Sequence, residues 1–216
     1  MLVFDFFSGT GSSTQAFADA GHTVISFELD TYFEATHHVD MFEVTSEWLR
    51  KMYGTPDFIW ASPPCTAFSV ASMGYHWTGG KGARIPKTEK AVRSQELVAH
   101  IRKVIEELDP KYGYLIENPR GMLRKLDVVA GLPQTTITYC QYGDSRMKPT
   151  DLWGHVGNWE PRPMCKNGDP CHVAAPRGSR TGTQGMKGAK DRSRVPYELG
   201  LEIMNSITEH ADKGTK

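Results

Sequence analysis

The opening of the chain constrains its fold more than any other stretch, because a short apolar run leads into a turn with two glycines and then into a helical pattern. Residues 2–6 are mostly apolar, which is typical of a buried strand in a parallel sheet. Gly9 and Gly11 follow, and residues 14–20 suit a helix that Gly21 ends. A strand, a Gly-x-Gly turn and a helix begin a nucleotide-binding βαβ unit, in which N–H groups at the helix start face the ligand. The sequence therefore predicts an α/β protein with a Rossmann-like sheet.

Two acidic residues near predicted strand ends are candidates for contacts with this ligand. Glu28 ends the second predicted strand, residues 22–28, and stands 17 residues after Gly11, close to the position of a ribose-binding acid. Asp40 could cap a third predicted strand in residues 38–42, beside the same ligand. A solvated strand-end acid and a simple turn residue are the alternatives for the two positions. The third glycine of the dinucleotide fingerprint is missing, which argues against NAD as the ligand.

A cysteine follows the fourth predicted strand. Residues 57–60 have the pattern of a buried strand, and Pro63 and Pro64 then stiffen the backbone that leads into Cys65. Glu117 comes directly after the next predicted strand. Because the carboxyl ends of parallel strands meet at one edge of a sheet, we expect this thiol and this carboxyl group to lie close together. Such a pair is suited to covalent catalysis, and a cysteine that only packs is the alternative.

The remaining patterns complete an alternating series of strands and helices. Further strands are predicted at residues 112–116 and 135–141, and helices at residues 46–53, 87–108 and from 195 onward. The longest helix has an apolar stripe that predicts core packing, made of Ala91, Val98, Ile101, Ile105 and Leu108. The glycine-rich segment 66–86 is long for a loop within a compact domain, which indicates a lid or a binding loop.

Composition limits the classes of function. The 216 residues carry no net charge, but residues 1–75 hold 2 basic and 9 acidic residues, which leaves 23 basic and 16 acidic residues in the remainder. This asymmetry favours a small-ligand half beside a half that faces a polyanion, with ordinary surface scatter as the alternative. Four cysteines are too few for a disulfide scaffold, and neither a membrane span nor a signal peptide is evident. We expect a reduced, soluble, cytoplasmic protein.

Four short motifs stand in a fixed order along the chain. They are Phe7-Ser8-Gly9-Thr10-Gly11, Pro63-Pro64-Cys65, Glu117-Asn118-Pro119 and the segment 141–148. In order and spacing they resemble the motifs of the DNA (cytosine-5) methyltransferases, in particular compact phage-encoded members, from residue 1 to about residue 153. Several weak motifs in one order are more specific than any one of them. The resemblance implies a catalytic core in residues 1–154, a reduced DNA-recognition insertion in residues 155–194, and a C-terminal helix in residues 195–216 that packs back on the core.

The resemblance also implies a reaction and a role for each motif residue. A methyl group would pass from S-adenosylmethionine to C5 of a cytosine flipped out of duplex DNA. Cys65 would add to C6, Glu117 would donate to N3, and Asn118 would order the loop before Cys65. Arg146, with Lys148, would contact the base oxygen or a phosphate. The implied cofactor-binding residues, with Glu28 on the ribose and Asp40 on the adenine, are Phe7, Ser8, Gly9, Thr10, Gly11, Glu28, Leu29, Asp40 and Pro63.

The sequence departs from the family pattern at three points. Pro119 follows Asn118 where valine is usual, and the segment 141–148 replaces a Gln-Arg-x-Arg pattern. Residues 193–195 read Ser-Arg-Val instead of Asn-Ser-Val, which weakens a cofactor role there.

Residues 69–85 resemble the lid of the family, which closes over the base. Methylation of tRNA by the same chemistry and a catalytically silent DNA-binding protein are the alternative functions.

The predicted insertion is basic and nearly without aliphatic residues. Its basic residues are Arg162, Lys166, Arg177, Arg180, Lys187, Lys190, Arg192 and Arg194. With glycines between them they suit contacts with DNA phosphates, and a solvated loop is the alternative. We expect a monomer whose partner is duplex DNA containing cytosine.

No metal ligand is assigned from the sequence. Cys165, Cys171 and His172 could supply three ligands of a structural zinc ion, with His155 or Cys140 as the fourth. The spacing is not that of a standard zinc knuckle. Unpaired thiols in a loop without a core are therefore the alternative.

Overall fold

A seven-stranded sheet lies at the centre of the computed structural model, which describes residues 1–78, 84–174 and 188–213. The strands are β1 (Leu2–Phe6), β2 (Thr23–Glu28), β3 (His37–His38), β4 (Phe58–Ala61), β5 (Gly113–Pro119), β6 (Gln134–Thr138) and β7 (Pro149–Val156). Their spatial order is β3-β2-β1-β4-β5-β7-β6. Neighbours pair in parallel except at β7, which is antiparallel to both β5 and β6. The order 3-2-1-4-5 is that of a doubly wound sheet, so the predicted Rossmann-like α/β fold is confirmed.

Helices cover both faces of this sheet. They are α1 (Gln15–Asp19), α2 (Ser46–Tyr53), α3 (Met73–His76), α4 (Glu89–Leu108), α5 (Ala189–Ser193) and α6 (Tyr197–Lys213). Successive strand residues point to opposite faces. Phe4 and Ile59 therefore pack in one hydrophobic cluster with α2 and α4, while Val3 and Trp60 pack in a second with α1 and α6. Burial on both faces explains why β1 and β4 read as nearly continuous apolar runs.

The longest helix, α4, closely follows its prediction. Its N-terminus is capped by Thr88, whose side-chain oxygen accepts a hydrogen bond from the N–H of Ala91 at 3.2 Å. Asp109 adopts a left-handed conformation with φ 49° directly after the last turn. All five residues of the predicted apolar stripe are buried, which confirms that the stripe is core.

The third strand is shorter than its prediction. Instead of residues 38–42, β3 comprises only His37–His38, and Met41–Glu43 forms a 3-10 helix. The side chain of Asp40 accepts a hydrogen bond from the N–H of Phe42 at 3.0 Å, which caps that helix. The residue that was predicted to cap a strand therefore caps a helical turn instead.

The far edge of the sheet differs most from the sequence prediction. The strand predicted at residues 135–141 ends at Thr138, because Tyr139–Tyr142 turns into a 3-10 helix that Gly143 closes with φ 86°. The strand β7 was not predicted, since a proline begins it and a glycine interrupts its apolar pattern. Its backbone pairs with β5 on one side and β6 on the other. It ends at Val156, two residues past the predicted domain boundary.

The last helix packs closely against the first. Leu199, Ile203 and Ile207 of α6 are buried in the second hydrophobic cluster. At Gly200 the approach is so close that a Cβ atom would lie 2.9 Å from the carbonyl oxygen of Ser13. Residues 157–174, within the predicted insertion, have no regular helix or strand.

Several residues named in the sequence predictions lie outside the described ranges. They are residues 79–83 of the glycine-rich segment 66–86, and Arg177, Arg180 and Lys187. In the part of the chain that the structure describes, no helix has both the length and the apolar character needed to cross a bilayer.

Candidate active site

The sheet brings the predicted site residues to one edge. Phe6 of β1 pairs with Phe27 of β2 and with Ala61 of β4, and Ala61 pairs with Ile116 of β5. The residues that come next in each strand or loop therefore lie side by side. They include Phe7, Glu28, Ser62 and Glu117. The carboxyl edge of such a sheet is where open α/β folds bind their ligands.

The turn after β1 is held in a conformation that its two glycines make possible. Gly9 has φ 48° and Gly11 has φ 67°, both in the left-handed region. Phe7 also has a positive φ, 62°, which is a strained conformation for a bulky side chain and is typical of functional sites. The N–H of Gly11 donates to the carbonyl oxygen of Ser8 at 2.7 Å and tightens the turn. No heavy atom of the described chain lies within 4 Å of a Cβ built at Gly9 or Gly11, so the backbone faces open space there.

Glu28 lies directly against this glycine turn. One of its carboxylate oxygens accepts a hydrogen bond from the N–H of Gly9 at 2.8 Å, and the other accepts from Leu29 and Asp30 at 2.9 and 3.1 Å. Ser8 is buried, and its Oγ has no hydrogen-bond partner among the described residues. A buried hydroxyl without a partner costs free energy, so a polar ligand atom at this position would stabilise the turn.

A buried aspartate accepts hydrogen bonds from two residues that follow the glycine turn. Asp5 of β1 is fully buried, and its carboxyl oxygens accept hydrogen bonds from Ser13 at 3.0 Å and from Thr14 at 2.7 Å. Burial raises the pKa of Asp5 to about 7, and the two hydroxyl donors oppose the rise. Sequence reasoning gave Asp5 no role, although an acid inside an apolar strand was a visible signal.

Asp40 makes its described contacts away from the glycine turn. Besides capping the following 3-10 helix, it accepts a hydrogen bond from Arg93 of α4 at 3.0 Å. The guanidinium of Arg93 also lies 4.7 Å from the centre of the Phe42 ring. These contacts are structural, and a role for Asp40 on adenine stays a prediction.

The loop that carries Cys65 is fixed at both ends. Before it, the N–H of Ser62 donates to the carbonyl oxygen of Phe6 at 3.0 Å. The side-chain amide of Asn118 donates to the carbonyl oxygen of Pro63 at 2.8 Å, which is the loop contact expected of this residue. Cys65 then begins a 3-10 helix, and its carbonyl oxygen accepts from the N–H of Phe68 at 2.9 Å. The half-buried thiol therefore stands on a backbone that has little freedom to move.

Charged residues near Cys65 act on its thiol in opposite directions. Burial raises the pKa of the Cys65 thiol, and the nearby negative charge of Glu117 raises it further. The positive charges of Lys148 and Arg192 lower this pKa. Glu117 and Lys148 are themselves buried, and burial lowers the pKa of the Lys148 ammonium while Glu117 opposes that effect. A thiol, a carboxyl group and an ammonium group therefore form one electrostatically coupled cluster.

Tyr139 completes this cluster and was missed by sequence reasoning. Its buried hydroxyl donates to a carboxylate oxygen of Glu117 at 3.0 Å. Burial and the charge of Glu117 raise the pKa of Tyr139 well above its ordinary value, so it stays a donor. The Lys148 ammonium lies 4.3 Å from the centre of its ring. Only the pairing of β6 with β7 brings Tyr139 beside Glu117, and no local sequence signal marks it.

Arg146 contacts Asp144 and the backbone of α5 and not the Cys65 thiol. Its guanidinium makes an ion pair with Asp144, with one nitrogen to oxygen distance of 2.8 Å, and donates to the backbone carbonyl oxygens of Asp191 and Arg192. These contacts join the loop before β7 to α5. Of the two basic residues predicted to contact the base, Lys148 lies in the cluster with Cys65 and Glu117. Arg146 instead connects the loop before β7 to α5. A role for Arg146 on the base stays a prediction.

The segment 193–195 returns to the glycine turn. The N–H of Val195 donates to Ser12 Oγ at 3.0 Å. This segment therefore lies beside the candidate ligand site even though its sequence departs from the family pattern.

A family model described as C-5 cytosine-specific DNA methylase matches residues 1–130, which include the glycine turn, Cys65 and Glu117. The chain belongs to this family. A relative named probable DNA (cytosine-5)-methyltransferase, from Frog virus 3 (isolate Goorha), is 27% identical over 224 residues and aligns with 95% of this chain and 99% of its own length. The resemblance stated from the motifs is thereby confirmed. The methylase is also of a size similar to this viral relative.

Two solved structures are similar at lower identity. The Spodoptera frugiperda DNMT2 mutant E260A/E261A/K263A is 15% identical with a TM-score of 0.46, over 74% of this chain and 53% of that one. The S. pombe Dnmt2 methyltransferase is 13% identical with a TM-score of 0.46, over 75% of this chain and 52% of that one. The methylase spans about half the length of these two structures.

Family membership makes the chain an S-adenosylmethionine-dependent methyltransferase. The residues of the glycine turn fit this cofactor. The turn offers an unpartnered buried hydroxyl at Ser8, open space above Gly9 and Gly11, and a carboxylate at Glu28. Hydroxyl and amino groups of an adenosyl ligand are partners of the kind that these atoms require.

Proposed function

We propose that this methylase transfers a methyl group to C5 of cytosine in duplex DNA through a covalent bond between Cys65 and C6 of a flipped base. The observation that carries the proposal is that Cys65, on a loop that Asn118 holds in place, interacts electrostatically with Glu117 of β5 and with Lys148. Cytosine C5 is a poor nucleophile until a thiolate has added across the 5,6 double bond. A positioned thiol with an acid and a cation beside it supplies the groups that this addition requires.

The proposed steps balance protons and electrons at the base. Cys65 loses its proton to solvent, and its thiolate forms a bond to C6 while Glu117 gives a proton to N3. The electron pair displaced from the 5,6 bond makes C5 nucleophilic, and C5 would accept the methyl group that S-adenosylmethionine supplies, with the S–CH3 bond broken and S-adenosylhomocysteine as the leaving group. Loss of the C5 proton to a base, release of Cys65 from C6 and return of the N3 proton to Glu117 restore the aromatic ring.

The charges of the site favour this sequence. A charged Glu117 opposes the Cys65 thiolate, as the raised thiol pKa indicates. Glu117 in the protonated form that donates to N3 carries no charge and does not oppose the thiolate. Lys148 then remains as the cation beside the thiolate. The Tyr139 hydroxyl holds the Glu117 carboxyl group in place. Protonation of Glu117 and ionisation of Cys65 therefore support each other.

The cofactor would lie on the glycine turn. We assign the unpartnered hydroxyl of Ser8 and the backbone of Gly9 and Gly11 to cofactor contacts. Glu28 would accept from the ribose hydroxyl groups with the oxygen that now receives the N–H of Gly9. The remaining residues assigned to the cofactor are Phe7, Thr10, Leu29, Asp40 and Pro63.

Duplex DNA is the proposed substrate because the family model and the viral relative are both named for DNA. Not every basic residue of the insertion is available to the phosphates. Arg162 pairs with Glu198 at 3.2 Å and Glu202 at 3.0 Å, which ties the insertion to α6. Lys190 lies 5.1 Å from the centre of the Tyr32 ring. The segment 175–187, with three further basic residues, lies outside the described part of the chain.

Methyl incorporation into two substrates tests the proposal. Purified protein with labelled S-adenosylmethionine is offered duplex DNA or tRNA, and the same assay is run with Cys65→Ser and Glu117→Gln. We expect label in DNA with the wild type, and losses of at least about 100-fold in the two variants, on the scale of nucleophile and acid removal. Label in tRNA alone would contradict the choice of substrate, and label that persists in Cys65→Ser would contradict the mechanism.

A further inference from the structure

A second cluster of reactive side chains lies in the insertion. Cys140, Cys165, Cys171 and His172 each place one ligand atom within 4.8 Å of all the others. The distances from His172 Nδ1 to the sulfur atoms of Cys165 and Cys171 are 3.7 and 3.5 Å. The sulfur of Cys140 lies 3.6 Å from that of Cys171 and 3.0 Å from that of Cys165. Three thiols and an imidazole therefore converge on one point, although 24 residues separate the first cysteine from the second.

These spacings match a tetrahedral metal site. Zinc lies about 2.3 Å from cysteine sulfur and about 2.1 Å from histidine nitrogen, so two sulfurs on one ion are about 3.8 Å apart and a sulfur and a nitrogen about 3.6 Å. The two distances to His172 and the distance from Cys140 to Cys171 lie near these values. The sulfurs of Cys140 and Cys165 need to separate by less than about 1 Å to complete the geometry. Thiols that merely pack together are not expected to show these tetrahedral spacings.

The surroundings support the same reading. The other ring nitrogen of His172 lies 3.4 Å from the side-chain oxygen of Asn167, a partner that would fix the ring when its Nδ1 binds a metal. The side-chain amide of Gln141 donates to the sulfur of Cys171 at 3.4 Å. Cys140 and Cys165 are buried, whereas Cys171 is exposed and His172 half-buried, which leaves a short path for an ion to enter.

We propose that Cys140, Cys165, Cys171 and His172 bind a structural Zn²⁺ ion. Four protein ligands close the coordination sphere, so the ion would stabilise the fold and take no part in the chemistry. The sequence left the fourth ligand open between Cys140 and His155, and the structure selects Cys140. His155 is exposed on β7, where its ring faces Tyr114 at 6.1 Å.

The ion would fasten the insertion to the catalytic core. Cys140 belongs to the 3-10 helix that begins with Tyr139, the residue that donates to Glu117. Directly after His172, the N–H of Val173 donates to the carbonyl oxygen of Ser145 at 2.9 Å, in the loop that leads to Lys148. Residues 157–174 contribute few buried apolar side chains of their own. Zinc ligation therefore replaces a hydrophobic core as the means of holding this segment beside the cluster of Cys65, Glu117 and Lys148.

Metal content of the purified full-length protein tests the proposal directly. Protein expressed in zinc-supplemented medium and purified without chelators is analysed by inductively coupled plasma mass spectrometry. Cys171→Ser and His172→Ala remove proposed ligands, Cys65→Ser is a matched cysteine control outside the cluster, and His155→Ala tests the rejected fourth ligand. We expect one zinc per chain in the wild type and in both controls, and at least about a tenfold loss in the two ligand variants after dialysis.

Cobalt binding provides a readout that does not depend on how the variants fold. Wild-type protein stripped of metal and titrated with Co²⁺ alone should develop thiolate-to-metal charge-transfer absorption that saturates at one ion per chain. Absence of both stoichiometric zinc and this absorption would overturn the proposal. A disulfide between Cys140 and Cys165 in protein purified under reducing conditions would overturn it as well, and so would zinc retained by Cys171→Ser but lost from Cys65→Ser. None of these results depends on which nucleic acid is methylated.

Discussion

At the scale of single residues, the reactivity of Cys65 depends on two neighbours of opposite charge. Glu117 raises the pKa of the thiol and Lys148 lowers it, and both side chains are buried, where charges interact more strongly than at the surface. The motif that contains Cys65 predicts the nucleophile, but the balance of charges around it follows from the sheet. Arg146, the basic residue favoured from sequence, is instead occupied by Asp144 and by backbone carbonyl groups.

Substitution of the two neighbours should move the pKa of the Cys65 thiol in opposite directions. Lys148→Met removes a cation and should raise this pKa, whereas Glu117→Gln removes an anion and should lower it. The rate of alkylation of Cys65 by iodoacetamide, followed against pH by peptide mass spectrometry, reports the thiolate fraction. Lys148→Arg keeps the charge and serves as the control. An unchanged pKa in both variants would show that burial alone sets the thiol pKa, and shifts of the same sign would contradict the opposing roles of the two charges.

At the scale of elements, the turn behind Cys65 depends on a close approach between two loops. The N–H of Met122 donates to the carbonyl oxygen of Phe68 at 2.7 Å, and the indole of Trp77 donates to the carbonyl oxygen of Ala67 at 2.7 Å. Gly121 lies against the same turn, where a Cβ atom would stand 2.3 Å from the oxygen of Phe68. Backbone atoms of the loop after β5 therefore contact the loop after β4 so closely that neither loop can shift without moving the other.

Gly121→Ala should consequently displace the turn that carries Cys65. We expect it to lower the free energy of unfolding by about 1–3 kcal/mol, as overpacking does, and to lower methyl transfer by about tenfold or more. Gly74→Ala is the matched control, because a Cβ at Gly74 meets no heavy atom within 4 Å and its φ is not in the left-handed region. Urea unfolding and the methyl-transfer assay measure the two effects. Equal stability and activity of both variants would refute this coupling of the two loops.

The elements near the N-terminus were predictable, and those at the far edge were not. The helix Ser46–Tyr53 and the strand Leu2–Phe6 have the bounds expected from periodicity, because each has a local start signal and a local stop signal. The strand β7 lacks such signals and exists because it pairs with both β5 and β6. The contact of Tyr139 with Glu117 results from this pairing, and the convergence of Cys140 on Cys165 results from the packing of the segment after β7 on the end of β6. Local patterns carry no information about such distant contacts.

At the scale of the whole molecule, stability should depend on pH through Asp5. Its folded-state pKa of about 7 lies above the ordinary value of 3.8, so between these values the folded protein holds a proton that the unfolded chain has lost. The stabilising contribution of this proton is complete below the ordinary pKa and is lost as the pH rises through about 7. The buried acid under the glycine turn therefore destabilises the fold under alkaline conditions.

Asp5→Asn should remove this dependence, because an amide of similar shape does not titrate. We expect the free energy of unfolding of the wild type, relative to Asp5→Asn, to fall by about 2–3 kcal/mol between pH 5 and pH 8. Urea unfolding of both proteins at the two pH values measures the difference. A difference that does not change with pH would show that Asp5 has the same charge in the folded and unfolded states.

The central claim is that Cys65 forms a covalent bond with the target base, and one trapping experiment tests it most directly. Duplex DNA with 5-fluorocytosine in place of cytosine is incubated with the methylase and S-adenosylmethionine. Because fluorine at C5 cannot leave as a proton does, the adduct should persist after methyl transfer. We predict a protein–DNA species stable to denaturation, with peptide mass spectrometry placing the attachment at Cys65, and no such species with Cys65→Ala. A missing adduct, or one that survives Cys65→Ala, would contradict the mechanism.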